Sequence, residues 1–228
     1  NNSSWRSSCV FIVQFTSTPI QNYIKMPAYK LTYFNLKGLA EPLRLLLSYG
    51  GADYEDVRLE RENWPAVKNT FPFGQVPVLE IDGKQVNQSL AVARYLGKQF
   101  NLGGKNALED LEIDAIVDSM NDFRLKAAVT IYEQDEAIKA KKLEQLTKET
   151  IPFYFEKFEA IAKKNNGHLA LGRLTWADFV LAGQYEAWNF MAKTDLFANM
   201  PSLKAVINNV LTLPKVKEWV AKRPATDL

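Results

Sequence analysis

The stretch 73-FGQVPVLEIDGKQVNQS-89 decides how this chain folds. Val78, Leu79 and Ile81 supply strand formers, Asp82-Gly83 is a two-residue hairpin signal, and Lys84–Asn87 reads as the returning strand. Its two ends are less ordinary. Pro77 lacks a backbone donor, so it marks a sheet edge, a strand start or a turn, and the bond before it is open to the cis form. The residue before a proline is held extended, which leaves the backbone of Val76 available to a ligand beside the break. At the other end the hairpin runs straight into Gln88-Ser89 and the apolar 90-LAVARYLGKQF-100, which predicts a helix from Ser89 to about Phe100. Ser89 is a good N-cap, and the free N–H groups and dipole of such a helix end favour an anion.

Outward from this hairpin the pattern is periodic. Tyr29–Phe34 alternates as a strand, Leu39–Gly50 has helical spacing with Pro42 in its first turn, and Gly50-Gly51 closes it. Tyr54–Leu59 predicts a second strand parallel to the first, giving a βαβ unit. Glu62–Lys68 is a short, loosely helical connection ahead of the hairpin and its helix. The order βαβ then ββα implies a mixed four-stranded sheet flanked by helices, an α/β domain over 26–101. The run 101-NLGGKN-106 breaks the pattern, so 102–107 reads as a linker. The second domain, 108–228, reads as all-α. Its helices fall over 108–132, 141–164 with a break near Pro152, 174–193 and 201–211. Thr175 and Asp178 have capping-box spacing, and Leu174 and Phe179 that of a hydrophobic staple, so Asp178 is a cap and not a catalyst.

Composition removes several chemistries. With 47% hydrophobic and 24% charged residues among 228, the chain is an ordinary globular one, and no run approaches a membrane span. The formal net charge of +2 is carried by Arg6 and Lys25; the 28 basic residues less those two leave 26 against 26 acidic from Met26 onward. A neutral body argues against nucleic acid as a partner. Cys9 is the only cysteine and His168 the only histidine, which disfavours a disulfide framework, a CxxC redox pair, a thiolate metal centre and a Ser-His-Asp triad. Residues 1–25 are unlike the remainder and read as an extension with no part in the fold. The expected location is cytoplasmic, with no membrane partner.

Four segments taken together resemble a cytosolic glutathione transferase: 29-YKLTYF-34, 63-NWPAVK-68, the opening stretch and 174-LTWADF-179. The Tyr33-Phe34 pair and 112-EIDAIVDSMNDFR-124 resemble the sigma class, which includes arthropod enzymes and a glutathione-dependent prostaglandin D synthase of vertebrates. The resemblance covers 26–228. It implies a thioredoxin-like first domain, a homodimer, glutathione as co-substrate and no metal.

Glutathione carries a γ-glutamyl head, a thiol and a glycyl carboxylate, and its thiolate is the nucleophile. A neutral hydroxyl aimed at the sulfur favours the ionised form. Pattern alone makes Tyr33 an ordinary aromatic strand residue; the resemblance makes it the catalytic hydroxyl. The resemblance further implies that Val76, before a cis Pro77, pairs with the cysteinyl backbone. Gln88 and Ser89 take the γ-glutamyl carboxylate, Trp64 and Lys68 the glycyl carboxylate, and Gln75 lies nearby. Asp122 reaches across the dimer to the partner's glutathione. The class often has two adjacent acids where this chain has Asn121-Asp122, which weakens any divalent-metal effect. Acceptors are expected in an apolar cleft near Phe34, Leu39, Arg124, Val129 and Tyr132, with Leu39 also bordering glutathione. The vertebrate prostaglandin synthase has arginine where this chain has Leu39, and leucine supplies no charge. The reading is therefore conjugation of small hydrophobic electrophiles such as lipid-peroxidation products, with peroxidase activity a further prospect. The alternatives are a prostaglandin D isomerase and a non-enzymatic, crystallin-like or ligand-binding protein.

Overall fold

The computed structural model describes residues 27–226, so the expectations for residues 1–25, Cys9 included, and for Met26 lie outside the described residues. The first domain is built from β1 (Tyr29–Phe34), α1 (Glu41–Gly50), β2 (Tyr54–Leu59), the single turn α2 (Trp64–Val67), β3 (Val78–Ile81), β4 (Lys84–Val86) and α3 (Ser89–Gln99). The strands form one mixed sheet in the order β2-β1-β3-β4. β1 is central: it runs parallel to β2 with Tyr29 opposite Tyr54, and antiparallel to β3 with Leu31 opposite Leu79. The hairpin turn takes left-handed backbone at Asp82 (φ 49°) and Gly83 (φ 85°), the conformation for which Asp-Gly is suited. The Asp82 carboxylate also accepts the N–H of Ala28 at 3.0 Å, tying the turn to the start of β1.

The second domain contains α4 (Ala107–Ile131), α5 (Glu136–Gln145), α6 (Ile151–Lys164), α7 (Trp176–Ala192), α8 (Pro201–Leu211) and α9 (Pro214–Lys222). Three features depart from the sequence reading. The helix expected from 141 begins at Glu136, because the Asp135 carboxylate caps the N–H groups of Ala137 and Ile138 at 2.9 and 3.0 Å. The break near Pro152 is a wide π-type turn, Leu146–Thr150, joining α5 to α6. The short α9 was not anticipated: its nine residues fall short of the about 11–18-residue window over which a helical period is read, although Val216 and Trp219 are buried on one face.

α7 holds the two domains together. Eleven of its 17 residues are buried, against both α1 and the other helices of its own domain. A Cβ at Gly183 would lie 2.5 Å from the Pro42 backbone nitrogen, so the α1–α7 approach needs glycine there. At its start, the Asp178 carboxylate accepts the N–H groups of Thr175 at 2.8 Å and Leu169 at 2.7 Å.

Candidate active site

Tyr33 is buried at the C-terminal end of β1, and its hydroxyl accepts the N–H of Leu39 at 3.4 Å. Burial pushes the hydroxyl above the ordinary tyrosine range; the Leu39 N–H and the cations of Arg44 and Arg124 pull it back in part. The group is therefore neutral at physiological pH and carries a proton to donate. Arg124, half-buried on α4, has its Nε bonded to Asn121 Oδ1 at 3.0 Å. It has no carboxylate within ion-pair distance among the described residues. Burial lowers its pKa, while the Tyr33 and Tyr132 hydroxyls oppose that shift.

Beside Tyr33 the aromatic rings continue outward. Phe34 lies 5.6 Å from Tyr33 between centroids, Trp64 packs edge-on against Phe34 at 5.3 Å, and Phe71 stacks on Trp64 at 5.9 Å. Thus α2 is anchored by its tryptophan close to the end of β1. Lys68 follows directly after α2, exposed, with its stem against Gly74. Across the sheet, the β1–β3 ladder ends at Thr32 opposite Val78, so the backbone of Val76 lies beyond the last paired position. The Val76–Pro77 peptide bond is cis, and Gln75 is exposed and extended (φ −135°).

α3 starts at Ser89, as the sequence reading had it, but its cap lies one residue earlier than expected. Gln88, not Ser89, occupies the cap, with φ 70° and its carbonyl accepting the Val92 N–H at 3.0 Å. Ser89 is the first helical residue, so its N–H belongs to the helix's unpaired end. Serine's capping preference misled only as to the cap, which the positive-φ backbone of Gln88 occupies instead.

A cleft opens between the domains. Leu39, Ser89 and Leu90 form one wall, and Met120, Arg124 and Trp188 the other. Of the residues expected to line the acceptor pocket, Leu39 and Arg124 do so. Phe34 packs on Trp64 next to it. Tyr132 is exposed at the end of α4, and its hydroxyl acts electrostatically on both Tyr33 and Arg124. Val129 lies apart, in a separate hollow with Leu125, Lys142 and Leu146. It is five residues from Arg124, roughly 140° around the helix. Met120 on α4 and Gln184 and Trp188 on α7 escaped the sequence reading; the packing of these two helices brings them to the cleft, which leaves no local signal. Asp122 and Asp118 are exposed on α4. Among the described residues no cluster of three or more histidines, cysteines or carboxylates is placed to hold a metal.

Residues 29–98 match the family model for the glutathione S-transferase N-terminal domain, and 121–223 that for the C-terminal domain. The chain is 53% identical to a glutathione S-transferase of Anopheles gambiae, covering 89% of this chain and all of that one. It is likewise 53% identical to glutathione S-transferase S1 of Drosophila melanogaster, over 88% of this chain and 81% of the relative. A solved structure of prostaglandin synthase D of Nilaparvata lugens superposes with a TM-score of 0.85 at 50% identity, covering 88% of this chain and all of the other. The chain belongs to the glutathione S-transferase family.

Proposed function

We propose that this glutathione transferase is of the sigma class and ionises glutathione at Tyr33, then conjugates the thiolate to small hydrophobic electrophiles held in the interdomain cleft. The observation that carries the reading is the neutral Tyr33 hydroxyl, buried at the end of β1 and fixed by the Leu39 N–H at 3.4 Å. As the glutathione thiol gives its proton to solvent, the Tyr33 O–H donates to the sulfur and offsets the charge. The thiolate then forms a carbon–sulfur bond to the acceptor. From an aromatic halide the halide leaves as the anion; an unsaturated aldehyde instead takes up a proton at carbon.

The remaining roles in this reading belong to the residues around the tyrosine. Val76, ahead of cis Pro77, pairs with the cysteinyl backbone, and Gln75 lies beside it. Gln88 and the N–H groups at the start of α3 hold the γ-glutamyl carboxylate. Trp64 and Lys68 hold the glycyl carboxylate. Arg124, charged and without an acidic partner among the described residues, meets the acceptor's oxygen as negative charge develops there. Leu39 supplies apolar surface and no charge, which ranks prostaglandin isomerisation below general conjugation. The joint presence of Tyr33, Trp64, Lys68, Gln88 and Ser89 argues against a purely structural role. A homodimer, with Asp122 reaching the partner's glutathione, detoxification of lipid-peroxidation products, peroxidase activity and a cytoplasmic location complete the proposal. No described helix is long and apolar enough to cross a membrane. A sedimentation mass near 26 kDa, that of one chain, would remove the dimer.

Turnover of a generic aromatic electrophile tests the chemistry. Tyr33→Phe should lose on the order of 10²-fold in rate with glutathione binding nearly intact. Unchanged turnover would sink the role of Tyr33, and a parent protein that does not bind glutathione would sink the whole reading.

A further inference from the structure

The loop between β1 and α1 carries the Leu39 N–H that meets the Tyr33 hydroxyl. Three successive carbonyls of this loop are held from outside it. Arg44 Nη1, buried on α1, donates to Leu36 O at 2.8 Å and to Lys37 O at 3.5 Å, and Gln184 Nε2 on α7 donates to Gly38 O at 2.6 Å. The loop has no slack against the tyrosine. Gly38 has φ +39°, and a Cβ there would lie 2.9 Å from the Tyr33 hydroxyl oxygen and 2.5 Å from Leu36 Cδ1. A shift of this backbone is therefore transmitted directly to the catalytic hydroxyl.

The same loop is gripped by its side chain from the far end of the sequence. Lys37 forms an ion pair with Glu186 on α7. Glu186 Oε1 accepts Arg223 Nη2 at 2.8 Å and the Tyr185 hydroxyl at 2.9 Å. Arg223, immediately after α9, extends Nη1 to Glu41 Oε1 at 2.8 Å, and the same oxygen accepts Trp219 Nε1 at 3.0 Å. Glu41 returns the chain of contacts to Arg44 at 3.3 Å, and so to the loop carbonyls. The circuit Lys37–Glu186–Arg223–Glu41–Arg44 closes on itself around the β1–α1 loop. All five side chains are largely buried, Lys37 at 17% and Glu186 at 27% exposure being the most open. Burial pushes the Glu186 carboxyl up, but Lys37 and Arg223 outweigh it and hold the group below the ordinary range, so it is ionised at working pH.

We propose that this clasp is a positioning device for the reaction: Glu186 and Arg223, neither of which touches substrate, set the ionisation of bound glutathione by fixing the Leu39 N–H against Tyr33. The proposal rests on the reading of Tyr33 given above. It couples α9 at the end of the chain to the chemistry at the end of the first strand.

The test is the pH dependence of kcat/KM with a generic aromatic electrophile, measured for Glu186→Gln, Arg223→Ala, Arg223→Lys and Tyr33→Phe. The glutathione KM and the thermal midpoint are recorded alongside. Glu186→Gln and Arg223→Ala should each move the rising limb of the profile to higher pH and lower the rate at neutral pH about 3- to 10-fold. The glutathione KM should change by less than about twofold, and the double variant should be no worse than the worse single one, because both open one circuit. Arg223→Lys, which keeps the charge, should recover most of the loss. Profiles that superimpose on the parent while the thermal midpoint falls would mean a purely structural contact and overturn the proposal. If Tyr33→Phe shifts the profile and the clasp variants do not, the clasp alone has failed. If Tyr33→Phe leaves the profile unmoved, the assignment of Tyr33 has failed and the clasp with it. Should Glu186→Gln not fold, Lys37→Met opens the same circuit from the loop side and is judged by the same criteria.

Discussion

Tyr33 works in this account because it is a poor acid. Burial raises its hydroxyl above the ordinary range, so across physiological pH it keeps its proton and lends it to the sulfur as a hydrogen bond. The residues around it divide into those tied down and those left free. Trp64 is fixed between Phe34 and Phe71, whereas Lys68 is exposed and has no acidic partner among the described residues. Lys68→Met should raise the glutathione KM roughly 5- to 10-fold, discounted for exposure, with kcat within about twofold. Added salt should raise the parent's KM more than the variant's, because the lost contact is ionic. A variant KM equal to the parent's in low salt would remove Lys68 from the site. At this scale the local setting of Tyr33, Val76 and Gln88, a strand end, a strand start and a helix start, was legible from short segments with their own turn or strand signals, whereas the roles proposed for them, and for Trp64 and Gln75, came from the resemblance. Met120, Gln184 and Trp188 were not legible, since their place depends on how α7 lies against α1 and α4. Val129 was misassigned for the same reason, being on the right helix and the wrong face.

Among the elements, β1, α1, β2 and the hairpin were readable almost to the residue. Their apolar period is strong and their ends carry Pro42, Gly51 and Asp82-Gly83. The misses have local causes: a left-handed Gln88 displaced the cap of α3, a π-type turn opened the helix before Pro152, and α9 is only nine residues long. α7 was read correctly from its cap. Asp178 is fully buried and accepts two backbone N–H groups, with His168 Nδ1 3.3 Å from its second oxygen. Asp178→Ala leaves both donors unsatisfied, and should cost about 2–4 kcal/mol. For a chain of this size that lowers the thermal midpoint by roughly 5–15 °C. A midpoint within about 2 °C of the parent's would show that the cap does not hold α7.

On the scale of the molecule, the cleft exists only where the two domains meet, with Leu39, Ser89 and Leu90 on one side and residues of α4 and α7 on the other; in the proposed reading β1, α2, the hairpin and α3 hold glutathione beside it. The clasp adds a pH signature to this meeting. Glu186 has a folded pKa below its unfolded value, so its stabilisation is complete above the ordinary glutamate range. It is lost as pH falls through the lowered folded value. Stability and thiol ionisation therefore respond in different windows, the first in acid and the second near neutrality. The second is the centre of the account. Titrating the ultraviolet absorbance of the thiolate in glutathione bound to the parent and to Tyr33→Phe measures it without any acceptor present. The account predicts that the midpoint of ionisation in the variant lies at least about one pH unit above the parent's. Coincident titration curves would contradict it.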